Sequence, residues 1–380
     1  MQRTMRTRGL LALVAALTAF AVAAPTAGAV TFEGGSLKVD VKTLTSASGA
    51  KATFGQATSK GKTSATFTLG AGNADISEQT KGTFNALGTI TLKLGRKSVA
   101  LGTLQQKFTN GRGTIIVKPG SGKAVSLLSV ASQGKMVVDA GYVGLTEKSS
   151  ALKLTKKGAA ALNKALKPSE SKEFKTGQKV GKVSMVADRS LELTGGNSRT
   201  VYDEKFVNDL AACDISLSSI APATPIGTDA SAPKGGVELP FRSTVEGGAG
   251  SLNARTLGGT IRHSGGTALR QDPNSSQVQD RNGDGIKDVY ASDITNFEFD
   301  TRTSPPTLAA FSTAVNNRTN IGAVEGAVVS ADLTPTGGTV TLQNGILRLA
   351  DIASSVLSQQ SGCNIPAGSA IGRVTTTGQV

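Results

Sequence analysis

The pattern Phe174-Lys-Thr-Gly177-Gln-Lys-Val180-Gly181-Lys-Val183 returns near the end of the chain as Ile365-Pro-Ala-Gly368-Ser-Ala-Ile371-Gly372-Arg-Val374. Both glycines and all three apolar positions coincide. Upstream of each copy lies a stretch with helical spacing, Lys157 to Lys167 in one and Leu349 to Gln359 in the other. Further back, Leu87-Gly88-Thr89-Ile90 matches Gly258-Gly259-Thr260-Ile261 as a strand opening. A unit that occurs twice must close a core twice, so the recurrence constrains the architecture more than any local motif. It predicts two domains, residues 30–197 and 198–380. Each reads as strands, a polar excursion, more strands, one short helix and a closing strand.

The strands show as alternation of apolar and polar residues over Ser64–Leu69, Gly88–Leu94 and Gly338–Leu342. Segments of that kind have one face for a core and one for water, which suits antiparallel sheets. Thr114–Val117 is a β-branched run instead and predicts a strand buried on both faces. With 46 glycines, no tryptophan and one histidine, the core must come from Val, Leu, Ile, Ala and a few Phe. The fold class that follows is all-β and mainly antiparallel: two tandem β-sandwich-like domains, each with a short helix near its C-terminal end. Between the copies, Tyr202–Cys213 places Phe206 and Leu210 four apart, as on one helical face, and opens the second domain. Pro222, Pro225 and Pro233 then punctuate a linker of small residues.

The N-terminus predicts export. Arg3, Arg6 and Arg8 precede an apolar run from Leu10 to Ala24, which is shorter than a membrane-spanning helix. Pro25 and the small-x-small sequence Ala27-Gly28-Ala29 complete the form of a cleaved signal peptide, residues 1–29. The mature chain is therefore expected to be secreted or held at the cell envelope, with no transmembrane segment. Its charge is lopsided: residues 30–200 hold 26 basic and 10 acidic side chains, residues 201–380 hold 12 and 17. A basic half outside the cell suits anionic cell-wall polymers or an envelope surface, while scattered lysines also keep a glycine-rich surface soluble. Nucleic acid is not expected as a partner, because the lysines lack aromatic neighbours on which bases could stack.

Three local motifs carry chemistry. Asp280-Arg-Asn282-Gly-Asp284-Gly285-Ile-Lys-Asp288 offers oxygens at positions 1, 3, 5 and 9 of a calcium loop, with glycine at position 6. Position 12 is Ala291 rather than an acid, and the same residues also suit a plain acidic hairpin. Cys213 and Cys363, the two cysteines of an exported chain, read as one disulfide or as two buried thiols. A bond closing a loop of about 150 residues stabilises by roughly 4–5 kcal/mol in the entropic account. Catalytic signatures are absent: there is no Gly-x-Ser-x-Gly elbow and no His-Glu-x-x-His, and a single histidine restricts base-assisted nucleophiles. The chain reads as a non-enzyme.

The run Leu239-Pro-Phe241 … Gly247-Gly248 … Thr256-Leu257-Gly258-Gly259-Thr260-Ile261-Arg262-His263-Ser264-Gly265-Gly266 resembles the HtaA domain, the haem-transport-associated module of secreted actinobacterial proteins. The helix before the closing strand and the paired-glycine ending also look like that family. The resemblance covers most of residues 198–380 and, more weakly, 34–190. It implies a β-rich domain that holds haem through a tyrosine supported by a histidine. His263 falls on the family's histidine, the tyrosine's place is taken by Thr244, and in the first copy the histidine's place is taken by Leu92. His263 is thus the candidate ligand-binding residue; its other reading is a strand-end imidazole bonded to a turn. Two functions stand open: an envelope binding module of the HtaA type with residual haem or other ligand binding, and a structural or adhesive protein that docks anionic polymers through its basic first domain.

Overall fold

The computed structural model describes residues 29–76, 81–109, 112–119, 122–131, 136–280 and 283–380. The predicted signal peptide, apart from Ala29, lies outside the described residues, as does Asn282.

Eight antiparallel strands make the ring of the first unit: β1 (Ala29–Asp40), β2 (Ser64–Asp75), β3 (Lys81–Leu87), β4 (Lys97–Thr109), β5 (Arg112–Pro119), β6 (Val125–Ala131), β7 (Gly144–Leu154) and β8 (Lys179–Glu192). Each pairs with the next in sequence, and β8 returns to pair with β1, so the sheet closes into an up-and-down barrel. Closure leaves no edge along the ring. Its interior holds Phe32 and Phe84 edge-on at 5.2 Å, with Phe108 stacked on Phe84 at 6.0 Å. Thr114–Val117 lies in β5 and is not buried on both faces. Ile115 and Val117 point inward while Thr114 and Ile116 are half-exposed, because a barrel wall has an outer face in water.

The second unit repeats the plan. Among its strands are β9 (Gly195–Tyr202), β10 (Ile215–Ile220), β11 (Thr224–Ile226), β12 (Gly236–Pro240), β13 (Thr260–Arg262), β14 (Gly266–Gln271), β15 (Ala291–Asp300), β16 (Thr307–Ser312), β17 (Asn317–Glu325), β18 (Gly337–Leu349) and β19 (Ala370–Gln379). The order β12-β9-β19-β18-β17-β16-β15 runs unbroken, and β15 pairs with β13. One bridge, Phe241 to His263, joins β12 to the end of β13 and completes the ring. The predicted proline-rich linker is folded: Pro225 lies inside β11, which pairs with β12. The chain changes sheet at Leu193-Thr194, between β8 and β9, a few residues before the 197/198 division.

Helices occupy matching places. α1 (Lys42–Ser48) follows β1 and α3 (Glu204–Ala211) follows β9; α2 (Lys156–Leu166) follows β7 and α4 (Asp351–Ser361) follows β18. Thr155 caps α2 by accepting the Gly158 N–H, and Asp203 caps α3 by accepting the Lys205 N–H. Phe206 and Leu210 turn to the core, as their spacing predicts.

The repeated glycines now have a cause. Gly177 and Gly368 both take positive φ, 78° and 79°, in the turn that leads from the helix to the closing strand. Their N–H groups donate to the carbonyls of Leu154 and Leu349, the last residues of β7 and β18. At Gly181 a Cβ would lie 1.8 Å from the carbonyl oxygen of Asp40; at Gly372 it would lie 2.3 Å from that of Val201. Closing strand and opening strand therefore meet backbone to backbone. Gly372→Ala is expected to destabilise by more than about 2 kcal/mol. Gly368→Ala, where only the positive φ is strained, should cost about 1 kcal/mol. Urea denaturation of the two variants checks that order.

Candidate functional site

His263 is fully buried at the seam of the second barrel. Its backbone N–H donates to the Phe297 carbonyl at 2.9 Å. The ring lies edge-on to Phe241 and Phe299, with centroids 5.2 and 5.5 Å away. Nε2 is 2.7 Å from Oγ of Ser198 on β9, and Ser198 Oγ is 2.7 Å from Oγ1 of Thr376 on β19. Nδ1 has no hydrogen-bond partner among the described residues. Burial lowers the imidazole pKa to about 4; the Phe297 backbone beside the ring opposes the shift and the Arg242 charge adds to it. The ring is neutral at ordinary pH and ties the seam to the opening and closing strands.

Beside this network the barrel interior holds an apolar cavity of about 100 Å³. Its wall includes Phe297 and Phe299 of β15, Phe206 of α3 and Leu357 of α4. Tyr202 and Tyr290 are part of the same wall. Burial raises the pKa of both tyrosines, partly offset by bonds to Thr267 and Ser292 respectively, so both remain protonated phenols at neutral pH. Tyr202 ends β9 instead of starting the helix expected over Tyr202–Cys213, and Tyr290, just before β15, is buried. Alternation could have found them. Ser198, Thr200 and Tyr202 share one face of β9, and Tyr290 and Ser292 share one face entering β15.

No family model matches the chain, and no curated protein matches it. Among solved structures, the C-terminal domain of HtaA from Corynebacterium glutamicum is 14% identical, with TM-score 0.34 over 42% of this chain and 99% of that domain. The N-terminal domain of the same HtaA is 15% identical, with TM-score 0.28 over 41% of this chain and 97% of that one. HtaB from Corynebacterium glutamicum, described as a haem-binding protein, is 17% identical, with TM-score 0.31 over 50% and 96%. The chain is similar to HtaA-domain proteins.

That resemblance implies haem on a tyrosine supported by the histidine, and the residues present do not fit it. The hydroxyl at His263 is the aliphatic one of Ser198, not a phenol, and Thr244 lies in an exposed turn, Thr244–Glu246. The imidazole lies edge-on between two phenylalanines. A cavity of about 100 Å³ is also below the ~300–1,000 Å³ of ordinary small-molecule pockets.

The calcium motif closes as a turn. Asp280 accepts the N–H groups of Gly283 and Gly285 at 2.7 Å and of Asp284 at 3.2 Å, and Asp284 accepts that of Ile286 at 2.8 Å. Among the described residues no three His, Cys, Asp or Glu side chains are grouped to hold a metal ion, and Asn282 is not one of those residues. Cys213 and Cys363 are bonded, with Cα atoms 5.6 Å apart. The bond joins the segment after α3 to the segment after α4, the two helices that wall the cavity. Among the described residues, no helix is long and apolar enough to cross a membrane.

Mass measurement of the native protein should find no alkylatable thiol; two would mean that the cysteines are free. For His263 the sign follows from a folded pKa near 4 against about 6.5 unfolded. The unfolded state takes the proton first, so stability is full above pH 6.5 and falls between pH 6.5 and about 4, by on the order of 3 kcal/mol. His263→Leu should flatten that part of the melting-temperature profile, while the first barrel, with Leu92 at the matching place, keeps its profile unchanged.

Proposed function

We propose that this chain is a non-catalytic binding module that works outside the cytoplasm, and that its second barrel takes a small apolar ligand in the cavity between Tyr202 and Tyr290. The cavity carries this reading: it is lined by aliphatic and phenyl groups and edged by hydroxyls that orient a ligand without charging it. A dry apolar void of comparable size accepts a single aromatic ring. The non-catalytic part rests on the sole imidazole, which is neutral and out of reach of solvent. The extracellular part rests on the leader pattern and on a cysteine pair of the kind oxidising compartments keep. Haem belongs to this reading only as a loosely held surface ligand, because the site at His263 supplies no phenolate.

Phenol at saturating concentration should raise the melting temperature of the second barrel. Ala353→Phe, which fills the cavity from α4, should abolish that rise. Hemin titration should give micromolar binding or none. A nanomolar Soret-shifted complex lost in Tyr290→Phe, or no response to any single-ring ligand, would overturn the reading.

A further inference from the structure

The repeat supplies an internal control for surface charge. Between Lys153 and Lys182 the first barrel carries nine lysines against two acids, Glu170 and Glu173. The matching stretch of the second barrel, Arg348 to Arg373, carries two arginines and Asp351. Both stretches build the same parts: the end of a strand, a helix, a glycine turn and the start of the closing strand. The fold therefore does not call for the lysines.

All nine are exposed. Lys156, Lys157 and Lys164 stand on the outer side of α2, whose other side buries Ala159, Leu162 and Leu166. Lys153 and Lys179 face each other directly across the β7–β8 ladder, a like-charge pairing that costs stability unless something anionic lies over it. Among the described residues none of the nine takes part in an ion pair. In the second barrel the pattern is opposite, and Arg255, Arg262, Arg270, Arg302, Arg318 and Arg348 each meet a carboxylate. The residue choice differs in the same way: residues 30–200 hold 22 lysines and four arginines, residues 201–380 three and nine. Lysine is a mobile, hydrated point charge suited to a flexible anionic chain, whereas arginine suits fixed two-point contacts.

We infer that the α2 end of the first barrel is a docking surface for a soluble linear polyanion, a polymer bearing a phosphate or carboxylate on each repeat unit. A membrane surface fits less well, because the exposed large apolar residues among the described ones all lie elsewhere. A nucleic acid also fits less well, since the one aromatic of the stretch, Phe174, is buried and no ring is left for bases. The inference does not rest on the cavity reading; either can fail alone.

The test uses the mature chain with long-chain inorganic polyphosphate and with polyglutamate as the two probes, at about 50 mM and about 200 mM salt. Binding to at least one probe is expected, weakening steeply as salt rises. The triple variant Lys157→Glu, Lys164→Glu, Lys179→Glu should lose about tenfold or more in affinity. Lys81→Glu, Lys107→Glu, Arg112→Glu, around the turn from β4 to β5, changes net charge equally and should lose less than about threefold. Arginine at the same three α2-end positions should keep binding, which separates loss of charge from loss of fold. Equal losses in the two glutamate triples would show net charge alone and overturn the inference. So would binding to neither polymer, or binding confined to phosphatidylglycerol vesicles or to single-stranded oligonucleotide.

Discussion

The approach of Gly181 to the Asp40 carbonyl, and of Gly372 to that of Val201, sets how tightly each sheet can turn back on its own first strand. A side chain at either place would hold opening and closing strands apart. The ladder between them would then be lost, and with it the closed ring that lets every interior residue face another wall. The helix before each closing strand is fixed by the same junction, through the Gly177 and Gly368 turns that bond back to Leu154 and Leu349. Core, helix and cavity wall are thus all set by contacts between bare backbones.

The two rings are also joined. β8 belongs to the first barrel but pairs through Ser190, Leu191 and Glu192 with Ser251–Asn253 of the second unit, and Leu191 and Leu193 lie in the second core. From the same strand Arg189, 3% exposed, donates to the carbonyls of Thr334 at 2.6 Å and Gly337 at 3.4 Å. Buried arginine is costly to leave unpaired, so these carbonyls are what permit it there. Arg255 makes the complementary contact, bridging Asp139 and Asp188 from the second unit. It is the more exposed of the two junctions and the weaker.

Much of this was legible in the residues. The spacing of Phe206 and Leu210, the glycine pairs and the compartment logic for Cys213 and Cys363 all depend on local chemistry, which a sequence carries openly. What it hid depends on closure. Thr114–Val117 has the composition of a doubly buried strand, and only the ring gives it a wet side. His263 finds its hydroxyl in Ser198, 65 residues upstream, a partner that no motif around Thr244 could name. Tyr202 and Tyr290 flank loops, and the inward turn of their rings is a property of the barrel. The site was legible as one histidine; its cavity and both tyrosines were not.

Both barrels pair the first strand with the last, Phe32 with Arg189 in one and Tyr202 with Gly372 in the other. Such pairings are the most distant in sequence that each unit contains, and folding that waits on distant contacts is slow. Neither barrel can finish until its final strand is available, and the second must wait for Ala370–Gln379. If the chain is exported as proposed, a topology that postpones completion would leave it linear during passage and confine its assembly to the far side.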